Sequence, residues 1–209
     1  MLKINDFLFQ KIGIKLDYHK LKKIIDFGFI LIEKAIVSLD KLHFIYFDVY
    51  DKMIENEIAL ADISKDKLVL HIGCGPIPAT SILLTKKIGI NVTGIDKNPH
   101  SVKKAVLCVN KSGYSDKIQI KHADAKDFAI ETYDIIIISQ GVTPIRKIIE
   151  NIAKSMKEDA HVIFRTSTSP NGEISQNDLF IKDIFNIDKT IAQKKNALLV
   201  SFLLSKRKN

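Results

Sequence analysis

The spacing of apolar positions along the chain changes near residue 65. From Tyr18 to Leu39, apolar side chains recur every three or four positions, which predicts an amphipathic helix. A second helix is predicted from Phe47 to about Ile63. After Ser64, short β-branched runs alternate with helix-like stretches. The pattern therefore predicts a helical N-terminal cap, residues 1–65, followed by an α/β domain, residues 66–209.

The α/β segment predicts a doubly wound sheet. The run Ile135–Ile138 is apolar on both faces, as is typical of a strand in the middle of a sheet that helices cover. Strands joined by helical crossovers form parallel, Rossmann-like sheets. The last two runs, Leu179–Ile187 and Ala197–Leu204, instead predict an antiparallel pair that closes one edge. The other predicted strands are Leu68–Ile72, Val92–Ile95, Ile118–His122, Tyr133–Ser139 and His161–Arg165, and the predicted helices are Pro78–Ile88, Pro99–Asn110 and Pro144–Met156.

Composition narrows the class of protein. The chain has 209 residues, 46% of them hydrophobic and 27% charged, as in an ordinary globular domain. Its net charge of +8 comes from lysines scattered among acids without an aromatic ladder, which favours a solvated surface over a nucleic-acid contact. Cys74 and Cys108 form no disulfide or metal-ligand pattern, and neither a signal peptide nor a membrane-spanning run is visible. We expect a soluble cytoplasmic protein that acts on a small molecule, with no resident metal and with the oligomeric state left open.

The candidate chemistry begins at the end of the first predicted strand, where Gly73 and Gly75 form a Gly-x-Gly turn. Such a turn lets the backbone approach a ligand, although a tight strand-to-helix connection also needs glycine when no ligand binds. Asp96 closes the second strand, 21 residues after Gly75. An acid at this spacing can accept hydrogen bonds from the ribose hydroxyls of an adenosine. The alternative is that Asp96 caps the helix that follows.

The glycine pattern also distinguishes between cofactors. A dinucleotide site uses a third glycine so that pyrophosphate can approach the helix N-terminus, and Pro78 stands at that position here. This favours an adenosine ligand without phosphate, which fits S-adenosylmethionine. Pro76 belongs to the same turn, and Gln140 follows the fourth strand at the edge where such sheets place ligands. Asp124 follows the third strand and is expected to bind the adenine amino group, or alternatively to cap a loop.

Three segments resemble the nicotianamine synthase family. Residues 73–82, GCGPIPATSI, are similar to its Gly-x-Gly-Pro-hydrophobic-Pro-x-Thr-Ser motif. Residues 46–50, YFDVY, with Glu57 seven positions further on, are similar to the segment that precedes the sheet in that family. Residues 162–168, VIFRTST, are similar to its Ile-Ile-Tyr-Arg-Thr strand. Together the resemblance covers about residues 42 to 204.

The resemblance implies a reaction and a set of site residues. Enzymes of this family transfer the aminocarboxypropyl group of S-adenosylmethionine to an amino nitrogen and release methylthioadenosine. By resemblance, Tyr46 and Tyr50 would lie over the amino-acid end of the cofactor. Arg165 would hold a substrate carboxylate, with Glu57 in the same substrate site. Glu33 is the nearest candidate for the family's general base, which must remove a proton from the attacking amine.

Other interpretations remain open. Methyl transfer to a small molecule is the close rival, because both reactions are displacements at a carbon next to the sulfonium. A catalytically silent protein that senses S-adenosylmethionine is a third possibility, but a sensor would not need acceptor-site residues. Tyr46 and Tyr50 could equally be core aromatics. His71 is expected to be a hydrogen-bonded histidine of the sheet.

Overall fold

A computed structural model describes residues 43–167, 178–193 and 199–207. The first predicted helix, Tyr18–Leu39, and with it Glu33, lies outside these residues. The helices are α1 His43–Ala61, α2 Ala79–Ile88, α3 Pro99–Ser112, α4 Ile145–Ser155 and α5 Ile181–Ile184. The strands are β1 Leu68–Ile72, β2 Asn91–Asp96, β3 Ile118–His122, β4 Ile135–Ile138, β5 His161–Ser167, β6 Phe185–Ala192 and β7 Leu199–Lys206.

The strands form one seven-stranded sheet in the order β3-β2-β1-β4-β5-β7-β6. Strands β1 to β5 pair in parallel, whereas β7 is antiparallel to both β5 and β6. The chain moves outward from β1 to β3 and then returns to the other side of β1 with β4. Such a reversal opens a crevice at the carboxyl ends of the strands on either side of it. The Rossmann-like, mostly parallel fold predicted from the sequence is confirmed.

Helices cover both faces of the sheet. On one face α1 and α2 pack through Met53, Ile54 and Leu84 against Val69 and Ile137. On the other face α4 packs against alternate residues of the same strands, namely Leu70, Ile136 and Ile138. Because successive strand side chains point to opposite faces, the four isoleucines of β4 contribute to both layers. Each fully buried isoleucine contributes about 1.5–3 kcal/mol relative to an exposed one.

Helix α1 begins earlier than the sequence indicated, at His43 rather than Phe47, and it packs directly on the sheet. The division into a cap of residues 1–65 and a domain of residues 66–209 therefore stays a prediction. No helix in the described part of the chain is long and apolar enough to cross a bilayer.

One predicted strand is wrong over two thirds of its length, residues 179–184. The apolar pattern predicts an extended run over Leu179–Ile187, but α5 occupies Ile181–Ile184 and β6 starts only at Phe185. Phe180 and Ile181 are buried in the core with Phe185. A short apolar run cannot be assigned to helix or strand by its periodicity, and here core packing of the first residues favours a helical turn. The antiparallel edge itself is confirmed, with Phe164 of β5 opposite Phe202 of β7.

Candidate active site

The glycine turn lies at the carboxyl end of β1. Gly73 and Gly75 have φ angles of +73° and +65°, in the left-handed region that side-chain-bearing residues rarely adopt. The amides of Gly73 and Cys74 donate to the carbonyl oxygen of Ile95, at 2.9 and 3.0 Å. A Cβ atom added to Gly73 would collide with the side chain of Val142. The turn is therefore fixed to β2 on one side and packed against the loop after β4 on the other.

Replacing Gly73 with alanine should destabilise the protein more than the same change at Gly89. Both glycines have a left-handed φ, and the backbone strain of alanine there is about 1–2 kcal/mol. Gly89 has open space where a Cβ would be added, whereas Gly73 faces Val142. We expect Gly73→Ala to lower the free energy of unfolding by a further ~1–3 kcal/mol, as overpacking does. Urea unfolding of both variants measures the difference, and equal losses would show that the turn has room for a side chain.

Asp96 is joined to the glycine turn by a hydrogen bond. The Gly75 amide donates to its Oδ2 at 3.0 Å, and the Asn98 amide donates to its Oδ1 at 2.8 Å. The side chain that caps α3 is that of Asn98, whose Oδ1 accepts from the His100 amide at 2.9 Å. Two backbone amides thus hold the Asp96 carboxylate at the end of β2, beside the turn.

These residues surround one cavity of about 340 Å³, within the range of small-molecule sites. Its walls come from the carboxyl ends of β1, β2, β4 and β5, together with the neighbouring loops and α1. The site residues predicted from the sequence that line it are Tyr50, Gly73, Gly75, Pro76, Asp96, Asp124, Gln140 and Arg165.

Asp124 and Gln140 lie on this wall with local partners. The Asp124 carboxylate accepts from the Lys126 amide at 3.1 Å and pairs with the Lys126 ammonium at 3.2 Å. The hydrogen bond from that amide is the largest cause that lowers the pKa of Asp124. Gln140 donates from Nε2 to Ser167 Oγ at 2.9 Å. Asp124 has the contacts of a loop cap, and its predicted role at adenine stays a prediction.

Arg165 and Glu57 form a buried ion pair. Arg165 donates from Nε and Nη2 to the two carboxylate oxygens of Glu57, at 2.8 and 2.7 Å. Their side chains are only 3% and 0% exposed. Arg165 also donates from Nη1 to Thr80 Oγ1 at 2.9 Å, and its guanidinium carbon lies 5.9 Å from the centre of the Tyr50 ring. Arg165 and Tyr50 face the cavity, whereas Glu57 lies behind them and holds the guanidinium in place.

A chain of polar side chains continues from Glu57. Ser201 on β7 donates to Glu57 Oε1 at 2.7 Å and accepts from Gln193 Nε2 at 3.1 Å. Gln193 in turn accepts from Asn56 Nδ2 at 2.9 Å. The network therefore joins α1 to the antiparallel end of the sheet. The sequence does not predict that Ser201 and Gln193 belong to this network, because two of its three hydrogen bonds join residues more than 100 positions apart.

His71 is buried near the carboxyl end of β1, at the cavity wall, with both ring nitrogens hydrogen-bonded. Nδ1 lies 3.0 Å from Ser81 Oγ on α2, and Nε2 lies 2.9 Å from Ser139 Oγ after β4. Burial, and then the positive charge of Arg165, lower the pKa of His71 well below its ordinary 6.5. The imidazole is therefore neutral, and the stability it contributes is present above pH 6.5 and decreases as the pH falls below it.

Tyr46 and Glu33 are the two predicted catalytic residues other than Tyr50. Tyr46 lies on α1, but its side chain, like all of Glu33, is outside the described part of the chain. Their predicted roles stay predictions. Within residues 43–167, 178–193 and 199–207, no group of three or more His, Cys, Asp or Glu residues could hold a metal ion.

The strand order and the cavity at the carboxyl edge define an α/β protein of the Rossmann-like class. Residues 28–193 match the family model described as nicotianamine synthase protein. The chain therefore belongs to the nicotianamine synthase family.

Curated relatives align with only part of the chain. It is 29% identical over 126 residues to an uncharacterized protein of Haemophilus influenzae, covering 59% of this chain and 47% of that one. It is 22% identical over 120 residues to the L-histidine 2-aminobutanoyltransferase of Yersinia pestis, covering 57% and 45%. The chain spans about half the length of the curated relatives it matches.

Solved structures share the fold. MtNAS in complex with MTA and tNA superposes with a TM-score of 0.71 at 18% identity, over 84% of this chain and 69% of that one. A Glu-to-Gln mutant of MtNAS in complex with S-adenosylmethionine superposes with a TM-score of 0.70 at 19% identity, over 84% of this chain and 70% of that one. A putative S-adenosyl-L-methionine-dependent methyltransferase from Methanococcus maripaludis superposes with a TM-score of 0.66 at 18% identity, over 85% of this chain and 93% of that one. At these identities the likeness establishes the Rossmann-like fold.

Proposed function

We propose that this chain is an S-adenosylmethionine-dependent transferase whose cavity binds that co-substrate. The observation that carries the proposal is the hydrogen bond from the Gly75 amide to the Asp96 carboxylate, which fixes an acid beside a glycine turn at the cavity wall. Membership of the nicotianamine synthase family supports it. The residues present fit the ligand, because the turn has no Cβ at Gly73 or Gly75 to block close approach, and Asp96 offers an acceptor for ribose hydroxyls.

The cavity offers different chemistry along its length. Asp96 and Asp124 place carboxylates at the ends of β2 and β3, where they would accept hydrogen bonds from ribose and adenine. At the opposite side, Tyr50 and Arg165 provide an aromatic ring and a guanidinium toward the acceptor. The bound co-substrate supplies a carbon activated by a neighbouring sulfonium. The protein's part is to hold that carbon and the acceptor nitrogen in line, which is worth several kcal/mol in a well-oriented site.

Within this class, we propose transfer of the aminocarboxypropyl group to the nitrogen of a small amino acid. The family supports this choice, as do the name of the Yersinia relative and the MTA and tNA bound by MtNAS. Residues 1–65 would form a helical cap that completes the acceptor site, with Tyr46 beside Tyr50. Glu33 remains our candidate for the base that removes a proton from the attacking amine. Glu57, buried against Arg165, supports the substrate site by holding the guanidinium toward it.

Methyl transfer to a small molecule is the second candidate. The same fold occurs in the structure named as a putative methyltransferase from Methanococcus maripaludis, and both reactions are displacements at a carbon next to the sulfonium.

The nucleoside that leaves distinguishes the two reactions. Incubating the protein with S-adenosylmethionine and a pool of amino acids should release methylthioadenosine, which mass spectrometry separates from S-adenosylhomocysteine. The acceptor does not have to be identified first, since the nucleoside reports which bond to sulfur breaks. A no-enzyme control corrects for spontaneous decay of the sulfonium to methylthioadenosine. If S-adenosylhomocysteine is the sole enzymatic product, the protein is a methyltransferase and the aminocarboxypropyl proposal is wrong.

A further inference from the structure

The buried imidazole of His71 connects the inside of the protein to the cavity wall. It contacts Ser81 at one ring nitrogen and Ser139 at the other, at 3.0 and 2.9 Å. Ser81 is fully buried on α2, whereas the buried His71 and the partly exposed Ser139 both line the cavity. The three side chains thus form a row that ends on a hydroxyl at the cavity wall.

Ser139 lies on the opposite side of the glycine turn from Asp96. Its amide donates to the Ile72 carbonyl at 3.0 Å, and its Cβ is 3.5 Å from the position of a Cβ added to Gly73. Strand β1 lies between β2, which ends at Asp96, and β4, which ends just before Ser139. Neighbouring strands are about 4.8 Å apart, so these two walls are on the order of 10 Å apart. An S-adenosyl ligand whose ribose binds Asp96 and whose chain crosses the turn would bring its amino-acid end toward Ser139.

The tautomer of the imidazole determines whether the Ser139 hydroxyl can donate a hydrogen bond to a ligand or accept one from it. A neutral imidazole carries one proton, so each nitrogen is either a donor or an acceptor. If Nε2 donates, the hydroxyl hydrogen of Ser139 is available to a carboxylate; if Nε2 accepts, Ser139 offers lone pairs to an ammonium. In both tautomers the bond restricts rotation of the hydroxyl. Proton abstraction by His71 is disfavoured, because an imidazolium there would be buried and would face the positive charge of Arg165.

We propose that His71 is a positioning residue that orients the Ser139 hydroxyl toward the ammonium or carboxylate of the co-substrate. This proposal rests on the proposed function, and it adds a source of discrimination between S-adenosyl ligands. S-adenosylhomocysteine and methylthioadenosine share the adenosine and the thioether. Only the first carries the amino-acid end. Ser139 and His71 should therefore strengthen binding of the first ligand without changing binding of the second.

The test is calorimetric titration of both nucleosides into the wild type and a set of variants. Ser139→Ala should lower the affinity for S-adenosylhomocysteine about tenfold or more, which is the usual effect of losing a hydrogen bond to a charged group. It should change the affinity for methylthioadenosine less than about twofold. His71→Phe should do the same, because it fills the space of the ring but leaves Ser139 without its partner. His71→Gln, whose amide can still reach Ser139, should recover part of the affinity. Thr85→Ala is the control, since it removes another buried hydroxyl of α2, one that bonds the Ile90 carbonyl and does not line the cavity.

The outcomes separate this proposal from the function on which it rests. If the wild type binds neither nucleoside, the proposed function fails. The positioning role of His71 is overturned if the wild type binds both nucleosides and either variant, Ser139→Ala or His71→Phe, lowers the two affinities equally. It is also overturned if either variant leaves the affinity for S-adenosylhomocysteine unchanged. The positioning role is supported if both variants lose affinity for S-adenosylhomocysteine alone and Thr85→Ala does not. If His71→Phe fails to fold, His71→Gln takes its place: weakening of S-adenosylhomocysteine binding alone supports the positioning role, and equal weakening of both nucleosides overturns it.

Discussion

Replacing Glu57 with alanine is expected to lower the free energy of unfolding by about 3–5 kcal/mol. The Arg165 guanidinium donates to both carboxylate oxygens of Glu57 inside the protein, where neither side chain has appreciable contact with water. Removing the carboxylate takes away the charged acceptor of two hydrogen bonds from the buried guanidinium, and the Ser201 hydroxyl loses its acceptor as well. Guanidinium chloride unfolding, monitored by circular dichroism, measures the loss.

Two further variants show whether the charge or the packing is responsible. Glu55→Ala removes a carboxylate from the same helix, but one that is exposed and pairs with Lys52 and Lys87. We expect it to cause a much smaller loss, because exposed pairs contribute little. The double variant Glu57→Leu with Arg165→Met removes both charges and should recover most of the stability, as apolar replacements of buried ion pairs do. If Glu57→Ala and Glu55→Ala unfold at the same denaturant concentration, the buried pair has no special role in stability.

The double variant also separates the pair's structural role from its functional one. A protein that regains stability without Arg165 should still lack turnover, since the guanidinium lines the cavity. Recovered stability together with full activity would mean that Arg165 is a structural residue and would remove it from the proposed acceptor site.

The sheet could be predicted from the sequence because its strands are short apolar runs between clear breaks. Strands β1 and β3 have the bounds that the sequence predicted, Leu68–Ile72 and Ile118–His122. Both are rich in β-branched and aliphatic residues and follow polar segments that contain Lys and Asp. The run Leu179–Ile187 is also largely apolar, but it contains Lys182 and Asp183 in its middle and has no Gly or Pro to mark a boundary. Its division into α5 and β6 depends on core contacts of Phe180 and Ile181 that a local pattern does not contain.

The cofactor side of the site was predictable for a topological reason. Gly75 and Asp96 follow or end adjacent parallel strands, so a spacing of one strand–helix–strand unit brings them together, and a hydrogen bond joins them. Other contacts depend on which distant strands become neighbours. Glu57 and Arg165 are 108 residues apart, and the sequence identified each as a substrate-site residue without indicating that they pair. The contact of His71 with Ser139, 68 residues away, likewise requires β4 to lie beside β1.

Asp96→Ala should lower the affinity for both S-adenosylhomocysteine and methylthioadenosine by about 10- to 100-fold. The variant removes a charged acceptor for ribose hydroxyls, and hydrogen bonds to a charged group contribute about 1.5–3 kcal/mol each. The ribose is common to both nucleosides, so the loss should be equal for the two, unlike the selective loss expected for Ser139→Ala. Calorimetric titration of each nucleoside measures it.

The control must account for the two backbone amides that Asp96 holds. Gly75 and Asn98 lose their acceptor in Asp96→Ala, so the glycine turn itself could shift. Asp96→Asn keeps an oxygen and fills the same space but lacks the charge, and it should bind both nucleosides with intermediate affinity. Thermal unfolding first establishes that each variant is folded. Undiminished binding by a folded Asp96→Ala protein would show that the acid only shapes the turn, and the ribose assignment would then be wrong.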